Sequence, residues 1–528
     1  MAKKFNTTGI CFPEDHYMAD VSKKLEQVYK LVEDGEYFII NRPRQYGKTT
    51  TLYTLKTMLQ QSGEYIVFNT SFEGISDKNF EDEARFAPTF VKLLAKSVQS
   101  YDPAMAEALR EKVPTISDLD DLDYFITDFT SKADKKVVVL IDEVDKSSNN
   151  QLFVSFLAML RNKYLDRMQN KTFQSVVLAG VHDVKSLKLK LRPDAEQKYN
   201  SPWNIAIDFE VDMNLNPSEI KPMLADYGHE KGVNMDTQLI AERLFFYTSG
   251  YPYLVSKMCK IIDDKILPTK SSKEWTVEDV SQAFQLILQE EKNTNFDTLM
   301  KNLREYPDLY QLVFSIVIEG EVIEYNLHDP IINLGSLHGI FAKSEKGTVM
   351  IHNRIYREII ANMMISVWRT SNLLQSKSTS KGYEVSSQYR MPNNGLDMEK
   401  ILTNFQAFMR EQFSEKDRKF LEHNGRLIFL SFLKPIINGG GYDFKEPQIS
   451  EERRLDVVLT YFQHRYVAEL KIWYGAIAHE EGLKQLADYL DRLGLSVGYL
   501  LIFDHSARKS WKKDWVEVEG KQIFWVKV

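Results

Sequence analysis

The chain has 528 residues, too many for one ordinary domain, and its 43% hydrophobic and 27% charged residues suit several buried cores. A net charge of −7 excludes a protein that coats nucleic acid through bulk charge, although not a local basic groove on an acidic body. Two cysteines far apart, Cys11 and Cys259, exclude a disulfide framework and a multi-cysteine zinc site, and they fit a reducing compartment.

Residues 1–9 lack the apolar run of a secretion signal, and no later stretch is long and apolar enough to span a bilayer. The expectation is a cytoplasmic protein without a membrane partner. From Tyr37 onward, apolar runs over Tyr37–Asn41, Tyr65–Asn69, Val137–Asp142 and Ser175–Gly180 alternate with helical text. None shows polar alternation, as expected of central strands in a parallel sheet covered on both faces. Residues 1–212 therefore read as a doubly wound α/β domain, the first part of an α/β multidomain chain. Helices expected over Pro217–Tyr227, Asp236–Thr248, Tyr253–Asp264 and Val277–Lys292 make 213–292 a helical segment. Residues 293–370 continue as helix, then short strands around Ile340–Lys343 and Thr348–His352, then a helix over Arg357–Trp368, the outline of a winged helix. The composition of 371–396 turns to Ser, Lys, Thr, Asn and Gln, a linker, and a new folded domain occupies 397–528.

The strand at Tyr37–Asn41 runs into Arg42-Pro43-Arg44-Gln45-Tyr46-Gly47-Lys48-Thr49-Thr50 and then a helix. A phosphate-binding loop needs backbone N–H groups curled around the phosphates, a lysine for the β and γ oxygens, and a hydroxyl for Mg²⁺. Gly47, Lys48 and Thr49 supply these in order at the required junction, within a loop spanning Arg44 to Thr50. The first glycine of the usual motif falls on Arg42. The strand Val137–Asp142 ends in Asp142-Glu143, where Asp142 would hold Mg²⁺ and Glu143 would polarise the attacking water. Together the two motifs predict a site for ATP or GTP.

The Arg-Gln-Tyr-Gly-Lys-Thr text resembles the AAA-like and STAND-related P-loop ATPases. Gly250-Tyr251-Pro252 resembles the Gly-x-Pro motif of their helical lid, and the segments around Leu337–Ile340 and Ile351–Arg357 resemble their winged helix. The resemblance covers roughly residues 8–368. It implies ATP with Mg²⁺ as cofactors, a lid in which Pro252 lies near the nucleotide, and a γ-phosphate sensor after Ser175–Gly180, for which His182 is the candidate. An arginine finger at Arg161 or Arg192 stays open, as does a homo-oligomer.

The last domain opens with helices near Met398–Gln412 and Glu415–Phe432. Leu455-Asp456-Val457-Val458-Leu459 and Tyr466-Val467-Ala468-Glu469-Leu470-Lys471 then read as two strands of a hairpin, with Glu469 and Lys471 on one face. Two carboxylates beside a lysine suit metal-dependent phosphodiester cleavage: Asp456 and Glu469 as hard-oxygen ligands, Lys471 to activate water and stabilise charge. This pattern resembles the PD-(D/E)XK nuclease superfamily, and Gln485 and Tyr489 match the Gln-x-x-x-Tyr helix of its RecB-like branch. The resemblance implies Mg²⁺, or Mn²⁺, at this site, DNA or RNA as partner, and further acids at Glu446 or Glu422. The cationic, indole-bearing run Arg508–Trp515 is a candidate strand contact, with a solvated turn the blander reading. The expectation is an ATPase that gates a nuclease; the alternative is a STAND-like scaffold ATPase whose last domain only binds nucleic acid or protein.

Overall fold

The computed structural model describes residues 3–147, 151–181, 205–207, 209–289, 293–319, 321–372, 389–393, 395–412, 425, 428–430, 432–433, 436–437, 456–461, 464–473, 476–504 and 510–528. His182, Arg192, Glu422, Glu446, Arg508 and Lys509 lie outside them. The chain divides into two compact units. One comprises Met1–Leu299, His328–Ala342 and His352–Ile355; the other comprises Met300–Leu327, Lys343–Ile351 and Tyr356–Val528.

The first unit is built on a four-stranded sheet of β1 (Phe38–Asn41), β2 (Tyr65–Ser71), β3 (Lys136–Asp142) and β4 (Ser175–Gly180), in the order β1-β4-β3-β2. Every pairing is parallel. Apolar runs without alternation do this because both faces of a parallel sheet must be covered, and Val138, Val139, Leu140 and Ile141 of β3 are indeed fully buried. The covering helices are α1 (Ser22–Glu33), α2 (Lys48–Ser62), α3 (Glu83–Val98), α4 (Pro103–Lys112), α5 (Leu119–Lys132) and α6 (Gln151–Leu165). Asp82, Asp102 and Asp118 cap α3, α4 and α5 through their carboxylates, satisfying orphan first-turn N–H groups. A phenylalanine cluster fills the core beneath them: Phe86 sits 5.1 Å from Phe156, which sits 5.0 Å from Phe90.

Four more helices follow: α7 (Pro217–Lys231), α8 (Thr237–Thr248), α9 (Pro252–Ile261) and α10 (Val277–Leu288). Reciprocal capping boxes, Asn216 with Glu219 and Thr276 with Asp279, set the starts of α7 and α10. The helix expected to reach Asp264 ends at Ile261 and continues as a π turn over Ile262–Ile266, and the one expected to reach Lys292 stops at Leu288. Gly250 separates α8 from α9 with φ +74°, and a Cβ there would lie 2.3 Å from the Leu215 carbonyl oxygen. Only glycine satisfies both demands.

The chain then forms α11 (Thr294–Glu305), α12 (Pro307–Phe314), α13 (Pro330–Leu337), the short strands β5 (Phe341–Lys343) and β6 (Val349–Ile351), and α14 (Arg354–Asn372). After α15 (Met398–Gln412) comes a five-stranded sheet in the order β10-β11-β9-β8-β7. Its strands are β7 (Asp456–Tyr461), β8 (His464–Ile472), β9 (Val497–Phe503), β10 (Lys513–Val518) and β11 (Lys521–Lys527). β7 and β8 form an antiparallel hairpin, and α16 (Ala476–Arg492) makes the crossover that lets β9 run parallel to β8. Leu483, Leu486 and Leu490 of α16 pack on Val467, Leu500, Ile502 and Ile523 of the sheet. Among the described residues no helix is long and apolar enough to cross a membrane.

Candidate functional site

In the first unit the crossover order leaves β4 between β1 and β3. The chain leaves β1 into the loop 42–47 and leaves β3 into Glu143, at the same carboxyl edge of the sheet where open α/β folds bind ligands. The loop turns through two left-handed residues, Gln45 at φ +59° and Gly47 at φ +80°, and α2 begins at Lys48. Lys48 is 7% exposed, and its ammonium donates to the carbonyl oxygens of Arg42 at 2.8 Å and Pro43 at 3.0 Å. Burial pushes it below the usual lysine value, while Asp145, Glu143 and Asp142 oppose the shift. Thr49 Oγ1 donates to Asp142 Oδ2 at 2.6 Å, joining the first turn of α2 to the end of β3.

Arg42, standing where a glycine is usual, does not enter the loop's interior. Its guanidinium donates to the carbonyls of Phe209 (3.3 Å) and Val211 (2.9 Å) and lies 5.2 Å from the Phe209 ring centroid. The side chain is a strut that ties the loop to the segment after β4.

Glu143 follows Asp142 with φ +54°, a region that costs a non-glycine residue about 1–3 kcal/mol. Its backbone N–H donates to Asp142 Oδ1 at 2.9 Å, which holds the turn. Burial, and then the neighbouring Asp142, raise the Glu143 carboxyl above its ordinary value, with Lys48 opposing. A carboxylate biased toward holding a proton suits a group that takes one from water.

Several segments beyond the core grip the same loop. The Tyr251 hydroxyl, beside Pro252 at the first turn of α9, donates to the Arg44 carbonyl at 2.6 Å. The Tyr46 hydroxyl is bonded to Asn214 Oδ1 and lies 2.8 Å from His352 Nε2. Burial carries His352 down to about 4, so the ring is neutral, and it pushes the Tyr46 phenol up. Gly339, at φ +69°, lets the chain approach so closely that a Cβ would sit 2.5 Å from Pro43 Cγ. From the other side Cys11 N–H donates to Thr50 Oγ1 at 3.2 Å. Tyr251 and His352 sat inside motifs that the sequence reading singled out, but only the structure gives them this contact. Arg161 lies on α6 with a buried Nε and makes no hydrogen bond to the loop among the described residues.

In the second unit, the register sets Asp456 directly opposite Glu469. Glu469 is 5% exposed; its carboxylate pairs with the Lys471 ammonium at 2.6 Å, and that ammonium also donates to Gln485 Oε1 at 3.0 Å. The helix residue and the two strand residues thus meet, while the Tyr489 ring packs against the Leu486 and Leu490 core. The sequence spacing brings Glu469, Lys471 and Gln485 into one chain of contacts.

The P-loop residues fit Mg²⁺: a hydroxyl and a carboxylate already share one point, and this ion takes only one or two protein ligands beside phosphate oxygens. Among the described residues no group of three or more His, Cys, Asp or Glu side chains is placed to hold a metal ion by itself.

A model of the AAA-like domain family matches residues 14–362. No curated protein matches the sequence. Among solved structures, a Walker-type ATPase of Pyrococcus abyssi is similar at 11% identity, with 67% of this chain and 99% of that one covered and a TM-score of 0.47. The ORC2 protein of Aeropyrum pernix, solved as ADPNP–ADP complexes, is similar at 13% identity over 69% of this chain and 98% of its own, with a TM-score of 0.41. A RuvB variant of Thermotoga maritima is similar at 14% identity over 69% and 97%, with a TM-score of 0.33. These are likenesses in outline.

Proposed function

The chain belongs to the AAA-like domain family, and from that premise we propose that it binds and hydrolyses ATP with Mg²⁺ and uses the nucleotide state to gate a metal-dependent nuclease. The observation that carries the first half is the 2.6 Å contact between Thr49 and Asp142, beside a lysine that donates to loop carbonyls. Nucleotide phosphates compete with those carbonyls for Lys48, and a charged acceptor wins over a neutral one. Thr49 and Asp142 offer oxygen ligands to Mg²⁺, which when bound neutralises phosphate charge. Glu143 orients the attacking water and accepts its proton. Tyr251, Asn214 and His352 sense the loop's conformation because they hold its backbone at Arg44 or its side chain at Tyr46.

The second half rests on the second unit. A buried carboxylate, a lysine and a glutamine in contact, with a second acid opposite in register, support Asp456 and Glu469 as ligands of Mg²⁺ or Mn²⁺. Lys471 then steadies developing negative charge on phosphate oxygen, and Gln485 positions Lys471. We read residues 293–370 as a winged helix that follows the nucleotide state, and DNA or RNA as the substrate.

The test is cleavage of mixed DNA and RNA by purified protein with Mg²⁺ or Mn²⁺, with and without ATP, beside Lys48→Ala and Glu469→Ala. Cleavage lost in Glu469→Ala and changed by ATP or by Lys48→Ala is expected. ATP hydrolysis with no cleavage of any substrate would reduce the second unit to a binding module, as in a scaffold ATPase.

A further inference from the structure

One acid at the mouth of the P-loop has no role in the reading above. Asp145 lies three residues past Asp142, on the single turn Val144–Ser147 that follows β3. Its Oδ2 accepts the Val181 backbone N–H at 2.6 Å, at the point where the chain leaves β4. Its Oδ1 occupies the space in front of Gly180: a Cβ built there would lie 2.8 Å from that oxygen and 3.0 Å from Val144 Cγ2. Gly180 has no positive φ to justify glycine, so close approach of the carboxylate is the reason the position is bare.

The end of β4 is in turn tied to the loop. The Gly180 carbonyl accepts the Arg42 N–H at 3.1 Å, and the Arg42 carbonyl accepts the Lys48 ammonium at 2.8 Å. A continuous series of bonds therefore runs from Asp145 through Val181, Gly180 and Arg42 to Lys48. After burial, Asp145 is also the strongest influence on the Lys48 charge.

We infer that Asp145 is a positioning residue for the phosphate site: seated where Gly180 lacks a side chain, it holds the end of β4 to the turn after β3 and so sets the loop carbonyls that orient Lys48. The inference rests on the ATP-binding reading. A carboxylate that merely satisfied one N–H would influence stability alone, whereas a positioning group must influence the fit of phosphate to Lys48. Because the bond to Val181 needs an acceptor and not a charge, asparagine can replace aspartate in this role.

The experiment measures fluorescent ATP-analogue binding with Mg²⁺ and steady-state hydrolysis for wild type, Lys48→Ala, Asp145→Ala, Asp145→Asn and Gly180→Ala, each checked for a cooperative melt. Expected is at least a 10-fold loss of nucleotide affinity in Asp145→Ala and in Gly180→Ala, which displaces the carboxylate without removing it. Asp145→Asn should return to within about 3-fold of wild type. If Asp145→Ala does not fold, Asp145→Asn against Gly180→Ala makes the same comparison. Folded Asp145→Ala or Gly180→Ala with wild-type affinity overturns the inference. So does Asp145→Asn as weak as Asp145→Ala, since charge rather than position would then be the cause. Wild type that binds no nucleotide overturns the ATP reading itself, and the positioning role with it.

Discussion

Lys48 and Lys471 are the two lysines of the two candidate sites, and the molecule holds them in opposite ways. Lys48 is nearly sealed from solvent and rests on neutral carbonyl oxygens of its own loop. Lys471 is a quarter exposed and is matched to a buried carboxylate on its own strand. Burial disfavours the Lys48 charge and the carboxylates of Asp145, Glu143 and Asp142 offset that only in part, so the cation gains when an anion arrives. A cation beside a carboxylate is compensated already, and its partner is the group left stranded when the pair is broken. The first arrangement leaves a cation able to accept an anion; the second holds two opposite charges against each other.

The largest effect that sharpens this contrast lies in catalysis. Glu143→Gln should lower ATP hydrolysis by about 10²–10⁴-fold while leaving nucleotide binding near wild type, read by steady-state hydrolysis beside equilibrium binding. Next, Lys48→Ala should weaken nucleotide binding by roughly 100-fold, yet chemical denaturation of the nucleotide-free protein should show no loss of stability. A clear loss would break the comparison by showing that Lys48 is already compensated without nucleotide. Glu469→Ala should do the reverse and destabilise the second unit by about 1–3 kcal/mol, with Glu469→Ala/Lys471→Ala recovering part of it.

The last expected effect is a pH dependence confined to the first unit, which reaches its full size only at acid pH. His352 titrates near 6.5 when unfolded and is held down to about 4 when folded. Below pH 6.5 the unfolded chain binds a proton that the folded chain refuses. Stability conferred by the neutral ring is therefore complete above pH 6.5 and lost as pH falls toward 4, an effect of up to about 3 kcal/mol. Thermal melts across that range should show the loss, and His352→Gln should flatten this component.

Much of the fold was readable because the sequence was locally consistent. Four unalternated apolar runs became four parallel strands, and the two runs read as a hairpin became the antiparallel pair β7 and β8. Pattern reading is weaker where ends are set by tertiary contact: α9 stops at Ile261 and passes into a π turn that periodicity does not signal. Gly47, Lys48, Thr49 and Asp142 were legible as candidates because phosphate chemistry calls for their types and order, and the structure brings Thr49 and Asp142 into contact. Tyr251, Gly339, His352 and Asp145 were not legible as parts of that site, since each reaches it from a segment distant in sequence and by a geometry no spacing encodes. The strut role of Arg42 also needed coordinates, because its partners are carbonyls, which leave no mark on side-chain identity.

The hydroxyl of Tyr46 has a consequence for proton placement. Asn214 donates its amide N–H to Asp212 at 2.9 Å, which turns its carbonyl oxygen toward Tyr46. Tyr46 must therefore give its proton to Asn214 and receive one from His352 Nε2, which leaves His352 Nδ1 to accept from Asn353 at 3.4 Å. One direction of proton order thus runs through Asn353, His352, Tyr46 and Asn214, four residues drawn from three stretches of chain. Reversing any one donor would reverse or break the rest, so the phosphate loop and the segment at 352–353 share a single hydrogen-bond polarity.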